Sequence, residues 1–181
     1  MTPVYCRAFL VGAPIYAGNV AGTRLAFAMD YDLPREIVWD ALLDVDLVGG
    51  WLAEAEIEPR LGGLFDLTWV GPTYLAPTRG EITRLDDLSA LGIDTSNIGR
   101  LLFELSDLPG GTRGGATRLE LTVDTPSEPR FSPNIAAHWR TNLEQLGDLL
   151  RGHPVDWANW ERDRGDVWNA HFDAAARELS R

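Results

Sequence analysis

Apolar residues recur every three or four positions through residues 132–152, SPNIAAHWRTNLEQLGDLLRG. Ile135, Trp139, Leu143, Leu146 and Leu150 fall on one stripe, with Leu149 on its edge. Arg140, Glu144, Asp148 and Arg151 point the other way. The pattern predicts a helix with Ser132 as its N-cap, Pro133 at the first helical position and Gly152 as a left-handed C-terminal cap. Such a helix of roughly 19 residues spans about 28 Å, enough to cross a sheet. Two polar residues interrupt the stripe: Asn142 at its centre and His138, one turn earlier, at its margin.

Elsewhere the period drops to two. Leu25, Phe27 and Met29 alternate with Arg24, Ala26, Ala28 and Asp30, which predicts a first strand over 24–31. Asp32 as cap and Pro34 then open a helical segment, with Ile37, Val38, Ala41, Leu42 and Val45 on one face and Gly49-Gly50 as its end. Ala55 and Ile57 alternate with Glu54, Glu56 and Glu58, and Phe65, Leu67 and Trp69 with Asp66 and Thr68. The paired glycines between these two strands predict a tight turn at 61–64. Further strands are expected around 79–88, at Leu101, Phe103 and Leu105, and at Leu119, Leu121 and Val123, the last two joined by a Gly-rich hairpin loop over 109–115. Segments 89–99 and 125–133 are expected as long connections of the kind that often cover a site.

Both ends depart from this scheme. Residues 1–22 read as an arm that docks, through Tyr5, Phe9, Leu10, Ile15 and Tyr16, on its own sheet or on a second subunit. In residues 155–181, Trp157, Trp160, Trp168, Phe172, Ala175 and Leu179 follow a roughly helical spacing, with Gly165 expected as a break or kink. The expected organisation is an arm over 1–22, one domain over 23–153, and a helical extension over 154–181 packed on the same domain. The fold class is α+β: a curved antiparallel sheet wrapped around a long C-terminal helix, with two short helices after the first strand. One helix does not fill a strongly curved sheet evenly, so a cavity is expected between them.

Composition narrows the partners. The net charge is −11, and all 16 basic residues are arginine. Nine carboxylates lie between Asp30 and Glu58 against Arg35 alone. Such a field repels phosphate backbones and anionic lipid, which argues against nucleic acid and membrane insertion. Without lysine there is no Schiff base and no P-loop. Cys6 is the only cysteine, so no internal disulfide forms, and a cytoplasmic location is expected.

Four stretches, taken in order, resemble a known family: PREIVWDALLDV (34–45) followed by Trp51, PRLGGLFDL (59–67), Gly80-Glu81-Ile82, and AAHWRTNLEQLGDLL (136–150). Together they resemble the START or birch-pollen-allergen-like superfamily, SRPBCC, with its helix-grip fold. More narrowly, they resemble the branch named for activator of heat-shock protein 90 ATPase homologues. The resemblance covers roughly residues 24–152. It implies a lipophilic pocket between sheet and C-terminal helix, of the kind the superfamily uses for lipids, polyketides and hormones in carriers, receptors and cyclase-like enzymes.

The candidate ligand-binding residues are His138 and Asn142, which one turn apart could hydrogen-bond one carbonyl or hydroxyl of a guest, and Trp39, Trp51, Trp69, Trp139 and Phe103 as apolar wall. The plain alternative is that Asn142 serves a backbone group and the tryptophans are ordinary core. Glu54, Glu56 and Glu58 lack histidine partners at ligand spacing and read as a solvated acidic face, so neither a metal nor a cofactor is expected. A general acid or base could only be His138, with Asp66 or Glu104 as partner according to which strand face turns inward. The leading expectation is a binder of a small hydrophobic or amphipathic molecule with no chemistry assigned. The alternatives are a protein-interaction module, homodimeric or co-chaperone-like, with a vestigial pocket, and a polyketide-cyclase-like enzyme.

Overall fold

A computed structural model describes residues 7–9, 15–17, 20–70 and 76–179. Among the described residues, nine strands and four helices follow in the order β1 (Arg7–Phe9), β2 (Ile15–Ala17), β3 (Val20–Tyr31), α1 (Arg35–Leu43), α2 (Val45–Gly49), β4 (Glu54–Ile57), β5 (Phe65–Thr68), β6 (Gly80–Asp86), β7 (Ala90–Thr95), β8 (Arg100–Leu108), β9 (Ala116–Thr125), α3 (Ser132–Leu150) and α4 (Trp160–Leu179). The main sheet has seven strands and runs β1-β3-β9-β8-β7-β6, with β2 also on β3; β4 and β5 form a separate ladder. All the pairings are antiparallel. This is the helix-grip architecture. Tyr5 and Leu10, expected in the docking arm, lie outside the described residues.

The alternation read from the sequence becomes rows of side chains across the sheet. Leu25, Val123, Leu101, Ile93 and Ile82 are consecutive register partners, as are Phe27, Leu121, Phe103 and Leu91. All nine are buried in one core, each contributing about 1.5–3 kcal/mol through its burial. The opposite face alternates charge instead: Arg24 bonds Asp124 at 2.6 Å, Arg100 bonds Asp94 at 2.8 Å and Arg118 bonds Asp30 at 2.7 Å. Exposed pairs of this kind keep that face soluble more than they stabilise it.

Helix α3 is covered on both sides. Its apolar stripe packs on the sheet, where Trp139 meets Phe103 edge-on at 6.3 Å and the Tyr31 hydroxyl donates to the Leu143 carbonyl at 2.8 Å. Its polar face meets α4 in place of water. Arg140 pairs with Glu178 at 2.6 Å, Glu144 with His171 at 3.0 Å, and Asp148 with Arg164. Steps of four on one helix match steps of seven on the other, which is antiparallel packing in register.

Several local expectations are corrected. Ser132 does not cap α3: the 3-10 turn Pro129–Phe131 runs straight into the helix, and the Ser132 amide bonds Pro129. Asp32 does not cap α1, whose N-cap is Pro34; the side-chain cap is one helix later, where Asp44 Oδ1 accepts from Asp46 N at 2.9 Å and Leu47 N at 3.2 Å. Segment 89–99 is not a loop but contains β7. Its alternation is hidden because Gly92 stands opposite a bulge in β6, where an added Cβ would lie 2.9 Å from the Arg84 Cβ. Gly165 does not break α4; tertiary packing outweighs a helix-propensity cost of about 1 kcal/mol. Gly152 does end α3, at φ +87, with its amide on Leu149 at 2.8 Å and that of His153 on Asp148 at 2.9 Å.

Candidate functional site

The hollow under the sheet is filled along most of α3 by Trp51, Phe27, Phe103, Leu143 and Leu146. Space opens at the N-terminal half of α3. A cavity of about 510 Å³ lies there, between α3, α4, the β7–β8 turn and the end of β9. Its apolar wall is Trp69, Trp139, Trp160, Trp168, Ile98 and Ile135, and its polar groups come from Asn97, Thr125, Ser127, Asn134, His138, Glu161 and Asn169. Among the described residues, Glu161 is the only carboxylate in the lining, and no arginine reaches it.

Of the residues expected from sequence, Trp69, His138 and Trp139 line this cavity. His138 sits between the two tryptophans, edge-on to both, with ring centroids 5.2 Å from Trp69 and 5.8 Å from Trp139. Phe103 stands behind Trp139. Trp51 is wholly buried away from the cavity, its Nε1 donating to the Ala41 carbonyl at 2.9 Å, and Trp39 is buried in α1. Asn142 does not reach the cavity. It is buried one turn behind His138, so the two do not converge on one guest atom. Glu104 lies exposed on the outer face beside Arg84, and Asp66 accepts the Gly80 amide at 3.1 Å.

Asn142 belongs to a hydrogen-bond chain whose direction is fixed at one end. The Trp160 indole N–H, which can only donate, reaches Gln145 Oε1 at 2.7 Å. Gln145 Nε2 donates to the Trp51 carbonyl at 2.7 Å and to Asn142 Oδ1 at 3.1 Å. Asn142 Nδ2 is left to face His138 Nε2 at 3.0 Å. Turning either amide over would set donor against donor, so His138 accepts at Nε2 and its neutral ring carries the proton on Nδ1. Burial pushes the His138 pKa down to about 4, so the ring is neutral at pH 7.

Sequence reasoning missed Gln145 and the α4 side of the cavity. Gln145 lies on the same helical face as His138 and Asn142, and that spacing was the available signal. Trp160 and Trp168, eight residues apart on α4, were visible as a repeat but not as a wall. Among the described residues no cluster of His, Cys, Asp and Glu is placed to hold a metal ion, and no helix is long and apolar enough to cross a membrane.

Residues 32–151 match the model of the family described as Activator of Hsp90 ATPase homolog 1-like protein. The chain belongs to that family. Comparison with curated proteins found no match. Among solved structures, this family member is similar to CalU16 from Micromonospora echinospora, at 22% identity and a TM-score of 0.71 over 97% of this chain and 98% of that one. A Rhodobacter sphaeroides protein matches at 23% identity and a TM-score of 0.58 over 75% and 96%. A Mesorhizobium loti protein matches at 19% identity and 0.58 over 73% and 99%. At such identities the likeness is one of fold. The likeness to CalU16 extends past the family match into α4.

Proposed function

We propose that this protein binds a small hydrophobic or amphipathic molecule in the cavity between α3, α4 and the β7–β8 turn, with no chemistry of its own. The observation that carries this reading is an aromatic-walled space of about 510 Å³ at the N-terminal half of α3. Its size falls in the range of about 300–1,000 Å³ that suits small-molecule guests, and its mixture of apolar wall and a few polar groups matches such sites. Family membership supports the reading, because the helix-grip resemblance implies a lipophilic pocket. Burying about 200 Å² of apolar guest surface contributes about 5 kcal/mol, which leaves micromolar binding within reach once polar contacts are added.

Displacement of the neutral dye Nile red tests this, together with native mass spectrometry of protein taken directly from cells. Saturable dye binding that Trp168→Ala weakens, or a small added mass, supports the reading. A protein that neither takes up the dye nor carries any added mass contradicts it.

A further inference from the structure

The hydrogen-bond chain behind His138 says more about the guest than the wall does. Its Nε2 is already occupied by Asn142, so the proton on Nδ1 is what the ring offers. Among the described residues nothing accepts that proton, and Nδ1 is not among the side-chain atoms sealed inside the protein without a partner. His138 lines the cavity, so this N–H opens onto it. A donor hemmed in by Trp69 and Trp139 has little water to satisfy it once the cavity is filled. A guest with no acceptor opposite it leaves it unpaired.

Charge restricts the guest further. Among the described residues Glu161 stands in the lining and no guanidinium does; the chain has no lysine, and its net charge is −11. A carboxylate entering this space would meet a like charge and no counter-charge. The wall is built from four indole rings, which favour the edge and face contacts of an aromatic guest over a flexible chain.

We propose that the guest is an uncharged aromatic molecule carrying a carbonyl-type acceptor, which receives the Nδ1–H of His138, and that Asn142 and Gln145 are positioning residues that hold this donor in place. The proposal rests on the binding reading above and refines it. Fatty acids and other anionic amphiphiles are thereby excluded as preferred guests.

Three probes of matched size and one chain test it: 9-fluorenone, fluorene, fluorenone-4-carboxylate and palmitate, titrated calorimetrically into the whole protein at pH 7. Fluorenone is expected to bind about tenfold more tightly than fluorene, and the two anions more weakly than either. In His138→Phe the ratio of fluorenone to fluorene affinity is expected to fall from about ten to about one. Nitrogen NMR of the wild-type histidine rings, which needs no variant to fold, is expected to place the His138 proton on Nδ1. Fluorene or palmitate binding as tightly as fluorenone, or a proton found on Nε2, overturns this inference and leaves cavity binding standing. Failure of all four probes and of Nile red overturns both.

Discussion

Trp160 donates its indole N–H to Gln145 Oε1 at 2.7 Å, across the seam between α4 and α3. That bond joins a residue outside the family match to the polar chain that ends at His138. The outer helix and the site are therefore one hydrogen-bonded unit.

Trp160→Phe keeps an aromatic ring and removes the N–H. Gln145 Oε1 then loses one donor, while the Trp51 carbonyl, which can only accept, still holds Nε2 and with it the direction of the chain. The expected cost is about 1–2 kcal/mol of stability. The histidine nitrogen spectrum of His138 is expected to keep the Nδ1–H form, because the Trp51 carbonyl still directs Gln145 toward Asn142. A proton moved to Nε2 in this variant contradicts that direction.

Acid stability follows from His138. Its folded-state pKa of about 4 lies below the ordinary 6.5, so the unfolded chain takes up a proton that the folded protein refuses. The contribution is complete above about pH 6.5 and is lost as the pH falls toward 4, by about 3 kcal/mol at most. Urea unfolding of wild type and His138→Phe at pH 7 and pH 4.5 checks the sign. The wild type is expected to lose about 2–3 kcal/mol more than the variant between the two conditions.

Arg140 has a nearly buried side chain whose Nε lacks a hydrogen-bond partner, and its charge is met by Glu178. Glu178→Ala leaves that guanidinium unpaired, whereas Arg140→Met replaces it with an apolar side chain of similar reach. The glutamate change is therefore expected to cost about 2 kcal/mol, and the arginine change less. Chemical denaturation of the two variants and the double variant orders them; the reverse order contradicts the account.

Trp51 is a matter of stability alone. Its indole N–H is on Ala41 and its carbonyl receives Gln145, both inside the core. Trp51→Phe is expected to cost about 2–4 kcal/mol, through a lost bond and a partly empty site. Fluorenone affinity per folded molecule should change by less than about threefold, as calorimetry at 10 °C would register.

Much of this architecture was legible because two periods carried it. Phe27, Leu121 and Phe103 alternate cleanly with polar neighbours, and in the sheet they are register partners. Strand β7 was not legible, since Ala90, Leu91, Gly92 and Ile93 are all buried and leave no alternation to read. The site divided in the same way. His138 stood out as a polar residue on an apolar helix, whereas Gln145 was not singled out, because only the fold brings the Trp51 carbonyl and the Trp160 indole to it. The pairing of Glu144 with His171 joins residues 27 positions apart on two helices, which no single-helix period contains.

Trp69, Trp139, Trp160 and Trp168 all border the same cavity, while Trp39, Trp51 and Trp157 do not. Four of the seven indoles therefore surround the place where a guest would sit. Occupancy can be followed by the dimming of native indole light, without attaching any label, and the three remote rings supply a steady background against which that dimming is measured.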